Sequence, residues 1–190
     1  MGFLLAGGKS SRMGADKAFL EFRGQTLLER ALAVVGRVCP RVAIVGDPAR
    51  FSNYGSVIAD VYSGCGPLAG IHAALAHSVA ELNLMLAVDM PFVSPDLLSY
   101  LFSIAEESGA VATVPRTGKG LQPLCAVYRL EFVNVADLAL RAGKYKIDAA
   151  FSGLSLRIIG EDELAKARFS DRNFFNVNTP EDRRAVENSF

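Results

Sequence analysis

The segment Gly7-Gly8-Lys9-Ser10-Ser11-Arg12-Met13-Gly14-Ala15-Asp16-Lys17 brings glycines and cations together in one short stretch. Adjacent glycines let a backbone approach an anion closely, and consecutive N–H groups form a nest for it. Lys9, Arg12 and Lys17 supply positive charge around those glycines. That grouping suits a triphosphate, whose charge must be neutralised. Two common phosphate loops do not match. A P-loop needs a glycine five positions before its GK pair, where Phe3 stands. G-x-G-x-x-G fails because Gly8 follows Gly7 directly.

Asp89 is the second chemical feature. It ends the apolar run Leu82 to Val88. A carboxylate there is costly to bury without a partner, and a divalent cation is a fitting one. Mg²⁺ is typically held by one or two carboxylates, with phosphates and water completing its shell. Asp60 stands in the equivalent place after Val57 to Ala59. Its alternative reading is a turn acid before Val61. No Ser/His/Asp or Cys/His constellation is evident. His72 and His77 match neither H-E-x-x-H nor a zinc pair, and they read as ordinary helix residues. Cys39, Cys65 and Cys125 are too scattered for a disulfide framework and read as reduced thiols.

These residues need a scaffold, and the pattern supplies one. Gly2 to Ala6 reads as a strand, Ala18 to Phe22 as an extended piece, and Thr26 as the cap of a helix ended by Pro40. Strands follow at Arg41 to Val45 and Val57 to Ala59. Gly66-Pro67-Leu68 opens a helix with Leu68, Ile71, Leu75 and Val79 on one face. Leu82 to Val88 reads as a buried central strand. Helices are expected at Pro95 to Ala105, Glu131 to Ala142 and Thr179 to Asn188. Further strands are expected at Ala110 to Pro115, Leu124 to Tyr128 and Leu156 to Ile159. Alternating strands and helices predict an α/β fold with a largely parallel sheet. Ligands of such sheets sit beyond the carboxyl ends of the strands. The first loop, Asp60 and Asp89 all fall there.

The chain has 190 residues, 51% apolar and 21% charged, and one domain over 1–190 is the expectation. Twenty Lys+Arg balance twenty Asp+Glu, which argues against a basic face for nucleic acid or a polybasic membrane anchor. The most apolar run is broken by Asp89 and Pro91, and falls far short of the ~20 residues that span a bilayer. With no basic n-region and apolar residues only from Phe3 to Ala6, the expected location is the cytoplasm.

Leu5-Ala6-Gly7-Gly8-Lys9-Ser10-Ser11-Arg12-Met13-Gly14-Ala15-Asp16-Lys17 closely resembles the N-terminal signature of the molybdenum cofactor guanylyltransferases, L-A-G-G-x-S-x-R-M-G-x-D-K. Three more segments follow in that family's order: Ile58-Ala59-Asp60 with Gly66-Pro67-Leu68-Ala69-Gly70; Ala87-Val88-Asp89-Met90-Pro91; and Phe175-Asn176-Val177-Asn178-Thr179-Pro180-Glu181-Asp182. Four ordered motifs spread over nearly the whole chain are far more specific than one.

The resemblance implies a three-layer, Rossmann-like nucleotidyltransferase fold of the nucleotide-diphospho-sugar transferase type, mostly parallel with helices on both faces. It implies transfer of GMP from GTP to the terminal phosphate of molybdopterin, releasing pyrophosphate, with Mg²⁺ as cofactor. Lys17 would bind the triphosphate with Arg12 assisting, and Asp89 would hold the metal and touch GTP. Leu5, Ala6 and Gly7 would offer backbone groups to the guanine, and Asp60 would meet base or ribose. Asn176 and Asn178, on one face of an extended segment with Val177 on the other, point to the pterin side, to the metal shell, or to a hydrogen-bonded lead into the last helix. Asp16 either orients a cation or caps a turn. Some relatives carry an Asn after the second strand, where this chain reads Val45-Gly46-Asp47, which weakens the expectation of nucleotide contact there. Two other readings stay open. One is a cousin using CTP or another acceptor, although the double glycine leaves room for the larger guanine. The other is a non-catalytic carrier that hands cofactor to a molybdoenzyme or chaperone.

Overall fold

The computed structural model describes residues 1–7, 17–62, 64–177 and 182. Arg12, Asn178, most of the first loop and the expected helix at Thr179 to Asn188 lie outside the described residues. In chain order the strands are β1 (Gly2–Leu5), β2 (Glu21–Phe22), β3 (Gln25–Thr26), β4 (Val42–Val45), β5 (Ser56–Ile58), β6 (Leu82–Ala87), β7 (Ala112–Thr117), β8 (Gly120–Leu121), β9 (Cys125–Arg129) and β10 (Leu156–Ile159). The helices are α1 (Leu27–Gly36), α2 (Pro48–Phe51), α3 (Pro67–His77), α4 (Pro95–Ser108), α5 (Phe132–Arg141), α6 (Ile147–Ala150) and α7 (Glu161–Lys166).

The main sheet runs β10-β7-β9-β6-β1-β4-β5, with β8 pairing β7 and β2 pairing β3 separately. β5, β4, β1 and β6 are parallel, and β10 is parallel to β7. β9 alone runs against both of its neighbours, β6 and β7. The chain steps from β1 to β4 and β5 on one side, then returns through α3 to β6 on the other. The strand order therefore reverses beside β1, and a crevice at such a switch point is where these sheets bind ligands.

Side chains alternate across a strand, and β1 uses both faces. Phe3 and Leu5 pack with α3, α5 and α6, and Leu4 and Ala6 pack with α1, α4 and α7. Two buried layers thus clamp a central sheet whose strands are apolar nearly throughout, as a sheet covered on both faces requires.

Several expectations change. Lys17–Phe19 is a 3-10 turn, not extended, because Ala18 is buried and Phe19 packs on Phe51 and Tyr54. The chain then turns at Arg23 and Gly24, both at positive φ, which suits a tight hairpin between β2 and β3. α1 stops at Gly36, ahead of Pro40, and α3 stops at His77, so Val79 leaves the helix face and is exposed. Short elements without strong periodicity, such as α2, α6 and α7, escaped the sequence pattern.

Thr26 caps α1 as expected, and more completely. Its hydroxyl accepts from the Glu29 N–H at 3.2 Å, and Glu29 accepts the Thr26 N–H at 2.8 Å. This reciprocal box ties the hairpin to the helix. Thr26→Ala should therefore cost about 1 kcal/mol and lower the melting temperature by about 2–4 °C. Thermal melts of the two proteins check this, and an unchanged midpoint would contradict it.

Candidate active site

Four parallel strands end side by side, and the loops after them supply the expected site. Gly7 follows β1, Gly46 follows β4, Asp60 lies two residues beyond β5, and Asp89 lies two residues beyond β6. Two groups of residues form there.

The first is built around Asp89. Its Oδ2 stands 3.9 Å from the Lys17 Nζ, with both side chains largely covered. Its Oδ1 is buried and has no hydrogen-bond partner among the described residues. Burial pushes the carboxyl above the usual range, while Lys17 and a backbone N–H pull it back. The backbone here is well fixed. The Asp89 carbonyl accepts the Val177 N–H at 2.9 Å, and the Val88 N–H reaches the Leu5 carbonyl at 3.4 Å. Val177 is buried beside Phe22 and Leu27, so the chain brings Asn176 alongside Asp89. The Asn176 Oδ1 is likewise buried without a partner among the described residues. A buried polar atom left unpaired costs free energy, and ligand sites are where such cost is retained.

The second group surrounds Asp60. A Cβ placed on Gly7 would lie 3.6 Å from the Asp60 Oδ2, and one on Gly70 would lie 3.8 Å from the Oδ1. The Asp60 Oδ1 is buried and unpartnered among the described residues, and burial lifts this carboxyl above its ordinary value. Gly70 had no role in the sequence reading beyond its motif. In the structure it lies against Leu5 and Asp60, where a Cβ would stand 3.4 and 3.8 Å from them. A glycine inside an otherwise apolar helix was the available signal.

The backbone at the other expected positions is partly engaged within the fold. The Leu5 carbonyl accepts from Val88, leaving one lone pair, and the Ala6 N–H donates to the Val45 carbonyl at 3.0 Å. The Gly7 backbone is exposed. Gly46 donates its N–H to the Ile58 carbonyl at 2.9 Å, and a Cβ there would meet the Phe51 ring at 2.8 Å. Asp47 accepts the Ala49 N–H at 2.9 Å as the cap of α2. His77 bonds the Ala73 carbonyl at 2.9 Å and His72 is buried, as helix residues. All three cysteines are free, and burial pushes the Cys125 thiol up to about 12.

Among the described residues, no three His, Cys, Asp or Glu side chains gather as a metal cage. Asp89 nevertheless fits Mg²⁺. It offers a hard oxygen donor with one unpartnered oxygen, the kind of ligand that suits an ion usually shared with phosphates and water.

Residues 2–154 match the family model described as the MobA-like NTP transferase domain. A probable molybdenum cofactor guanylyltransferase of Pelotomaculum thermopropionicum is 38% identical, with 95% of this chain and 88% of that protein covered. The molybdenum cofactor guanylyltransferase of Desulfosudis oleivorans is 33% identical, with 98% and 93% covered. The crystal structure of molybdopterin-guanine dinucleotide biosynthesis protein A from Archaeoglobus fulgidus is similar with a TM-score of 0.84 at 30% identity, covering 98% of this chain and 96% of that one. A Thermus thermophilus 2-C-methyl-D-erythritol 4-phosphate cytidylyltransferase shares the fold, with a TM-score of 0.72 at 19% identity over 97% and 96%.

With this architecture and these relatives, the molecule is a nucleotidyltransferase of the nucleotide-diphospho-sugar transferase fold. Within that class, the chain belongs to the MobA-like NTP transferase family.

The raised Asp60 carboxyl has a consequence for stability. A group whose folded pKa lies above its unfolded value stabilises at low pH, and that contribution is lost as pH rises through the folded value. At neutral pH the Asp60 charge therefore weakens the fold. Asp60→Asn should melt higher than the parent at pH 7.5, and the advantage should shrink toward pH 4. Melting curves across that range test the sign.

Proposed function

We propose that this chain transfers the guanylyl group of GTP to the terminal phosphate of molybdopterin. The observation that carries this reading is Asp89, half-desolvated and facing Lys17 beside the switch point of the sheet. The names of the relatives favour the same substrates.

The bond that forms joins an acceptor phosphate oxygen to the α-phosphorus. The bond that breaks joins that phosphorus to the bridging oxygen of the departing pyrophosphate. A phosphate nucleophile is already ionised at neutral pH, so the chain needs no general base. Its work is positioning and charge stabilisation. Lys17, assisted by Arg12, would hold the β- and γ-phosphates and stabilise charge as pyrophosphate leaves. Asp89 would hold Mg²⁺ and thereby meet the triphosphate. The metal, when bound, supplies charge neutralisation on the phosphates. The Leu5, Ala6 and Gly7 backbone would meet guanine, and Asp60 the base or ribose. Asn176 and Asn178 would face the acceptor. We assign these roles to one domain spanning 1–190 that works in the cytoplasm. Delivery of the product to a molybdoenzyme or chaperone is compatible with this chemistry.

Pyrophosphate release from GTP, CTP, ATP and UTP, with Mg²⁺ and active molybdopterin, tests the proposal. Release should be selective for GTP and fall about 100-fold or more in Asp89→Ala, the scale of losing one charge-stabilising group. Preference for CTP would overturn the base assignment and keep the reaction class. Tight GTP binding without release would favour the carrier.

A further inference from the structure

The loop that carries Asp60 into α3 is fastened to α5 at a point outside the four motifs. The Tyr62 hydroxyl donates to the Asp137 Oδ1 at 2.7 Å. Arg141, one turn further along α5, donates from Nε to the Asp137 Oδ2 at 2.7 Å. His72 on α3 faces the same carboxylate, with Nε2 3.6 Å from Oδ1, and meets the Tyr62 ring edge-on at 5.2 Å. The far end of the loop also passes near the chain just beyond α5. Gly66 opens α3 at φ +76°, and a Cβ there would lie 3.9 Å from the Tyr145 carbonyl just beyond α5. Between these points the Cys65 N–H closes a turn onto the Tyr62 carbonyl at 3.2 Å.

Asp60 itself makes no comparable bond. Its Oδ1 is buried and unpartnered among the described residues, so its own contacts do not fix where that carboxylate points. The nearest side-chain anchor of its loop is Tyr62, two residues on. That link joins residues far apart in sequence and sits on a part-exposed surface. The Tyr62 side chain also packs against the core shared by α3 and α5. The bond, with that from Arg141, holds Asp137 below the usual carboxylate range and lifts the Tyr62 phenol.

We infer that Tyr62, held by Asp137 and Arg141, is a positioning residue for nucleotide binding: it sets the loop that presents Asp60 to the base or ribose. This rests on the guanylyltransferase reading for the choice of nucleotide. It assigns α5, which carries none of the recognised motifs, a part in nucleotide affinity. The chemical step at Asp89 and Lys17 belongs to another group of residues and should not feel the link.

The test is calorimetric binding of GTP with Mg²⁺, together with initial rates at varied GTP. Tyr62→Phe should weaken GTP binding and raise its KM by about three- to tenfold, the worth of one such hydrogen bond, with kcat unchanged. Asp137→Ala, which removes the acceptor, should do the same, and the double variant should lose no more than either single one. Arg141→Ala, altering an exposed side chain, gives the same direction if either of the others fails to fold. Unchanged GTP affinity in the folded variants overturns the inference, and so does a fall in kcat at constant KM. Additive losses in the double variant also overturn it. The parent protein separates the two readings. If it binds CTP and not GTP, the guanine assignment falls and the same series run with CTP decides the positioning role. If it binds no nucleoside triphosphate, both fall.

Discussion

A carboxylate oxygen kept buried and unpaired is the constraint around which this molecule is arranged. Asp89 sits where β6 ends and the strand order reverses, with one oxygen toward Lys17 and the other without a partner among the described residues. An arrangement of this kind lowers stability unless a ligand completes it. The surrounding structure is correspondingly firm. The Leu5 and Asp89 carbonyls accept backbone N–H groups from Val88 and Val177, so β1, β6 and the segment after Phe174 are bound to one another at this point. Asp60 repeats the pattern beyond β5, with a glycine on either side leaving it room. The two carboxylates are separated by β1 and β4, which suits a ligand with chemically distinct ends.

The fold was legible because its signals are local or strictly periodic. Apolar runs marked β1, β4 and β6. Gly66-Pro67 marked the start of α3, and Thr26 marked α1, each through a bond or a fixed dihedral within a few residues. Ala18 to Phe22 misled because the segment lacks a clear period. The burial of Ala18 and the stacking of Phe19 on Phe51 and Tyr54 decide its shape, and those partners lie far along the chain. Val79 misled for the opposite reason. It has the helical spacing, but Ser78 is already extended, and spacing carries no information about where a helix ends. The direction of β9 is a matter of topology that strand-like composition leaves open.

The site divided in the same way. Lys17, Asp60, Asp89 and the Leu5 to Gly7 segment were readable because each ends a strand or begins the next element. Gly46 and Asp47 show the limit. Sequence alone said only that an amide was missing there. The structure adds that Phe51 fills the space and that Asp47 is committed to capping α2. The Tyr62–Asp137 link was not readable, since it joins residues 75 apart in sequence.

The distribution of polar bonds separates rigidity from chemistry. Away from the switch point several polar side chains near the surface pair, as in Arg129 with Glu81, Arg157 with Glu163 and Tyr62 with Asp137. At the switch point, Asp60, Asp89 and Asn176 keep an oxygen unpaired among the described residues. His72, Thr113 and Arg129 also keep a buried atom unpaired elsewhere among the described residues, so what distinguishes these three is their place at and beside the carboxyl edge. The backbone there is fixed by the hydrogen bonds from Val88 to Leu5 and from Val177 to Asp89. Fixed backbones with unpaired acceptors are what a preorganised site for a cation-bearing or N–H-donating ligand needs, because little reorganisation remains when the ligand arrives. A nucleotide with its metal offers both kinds of partner. In the proposed reading its N–H donors, at the sugar-base end, would meet Asp60, and its cation, at the phosphates, would meet Asp89.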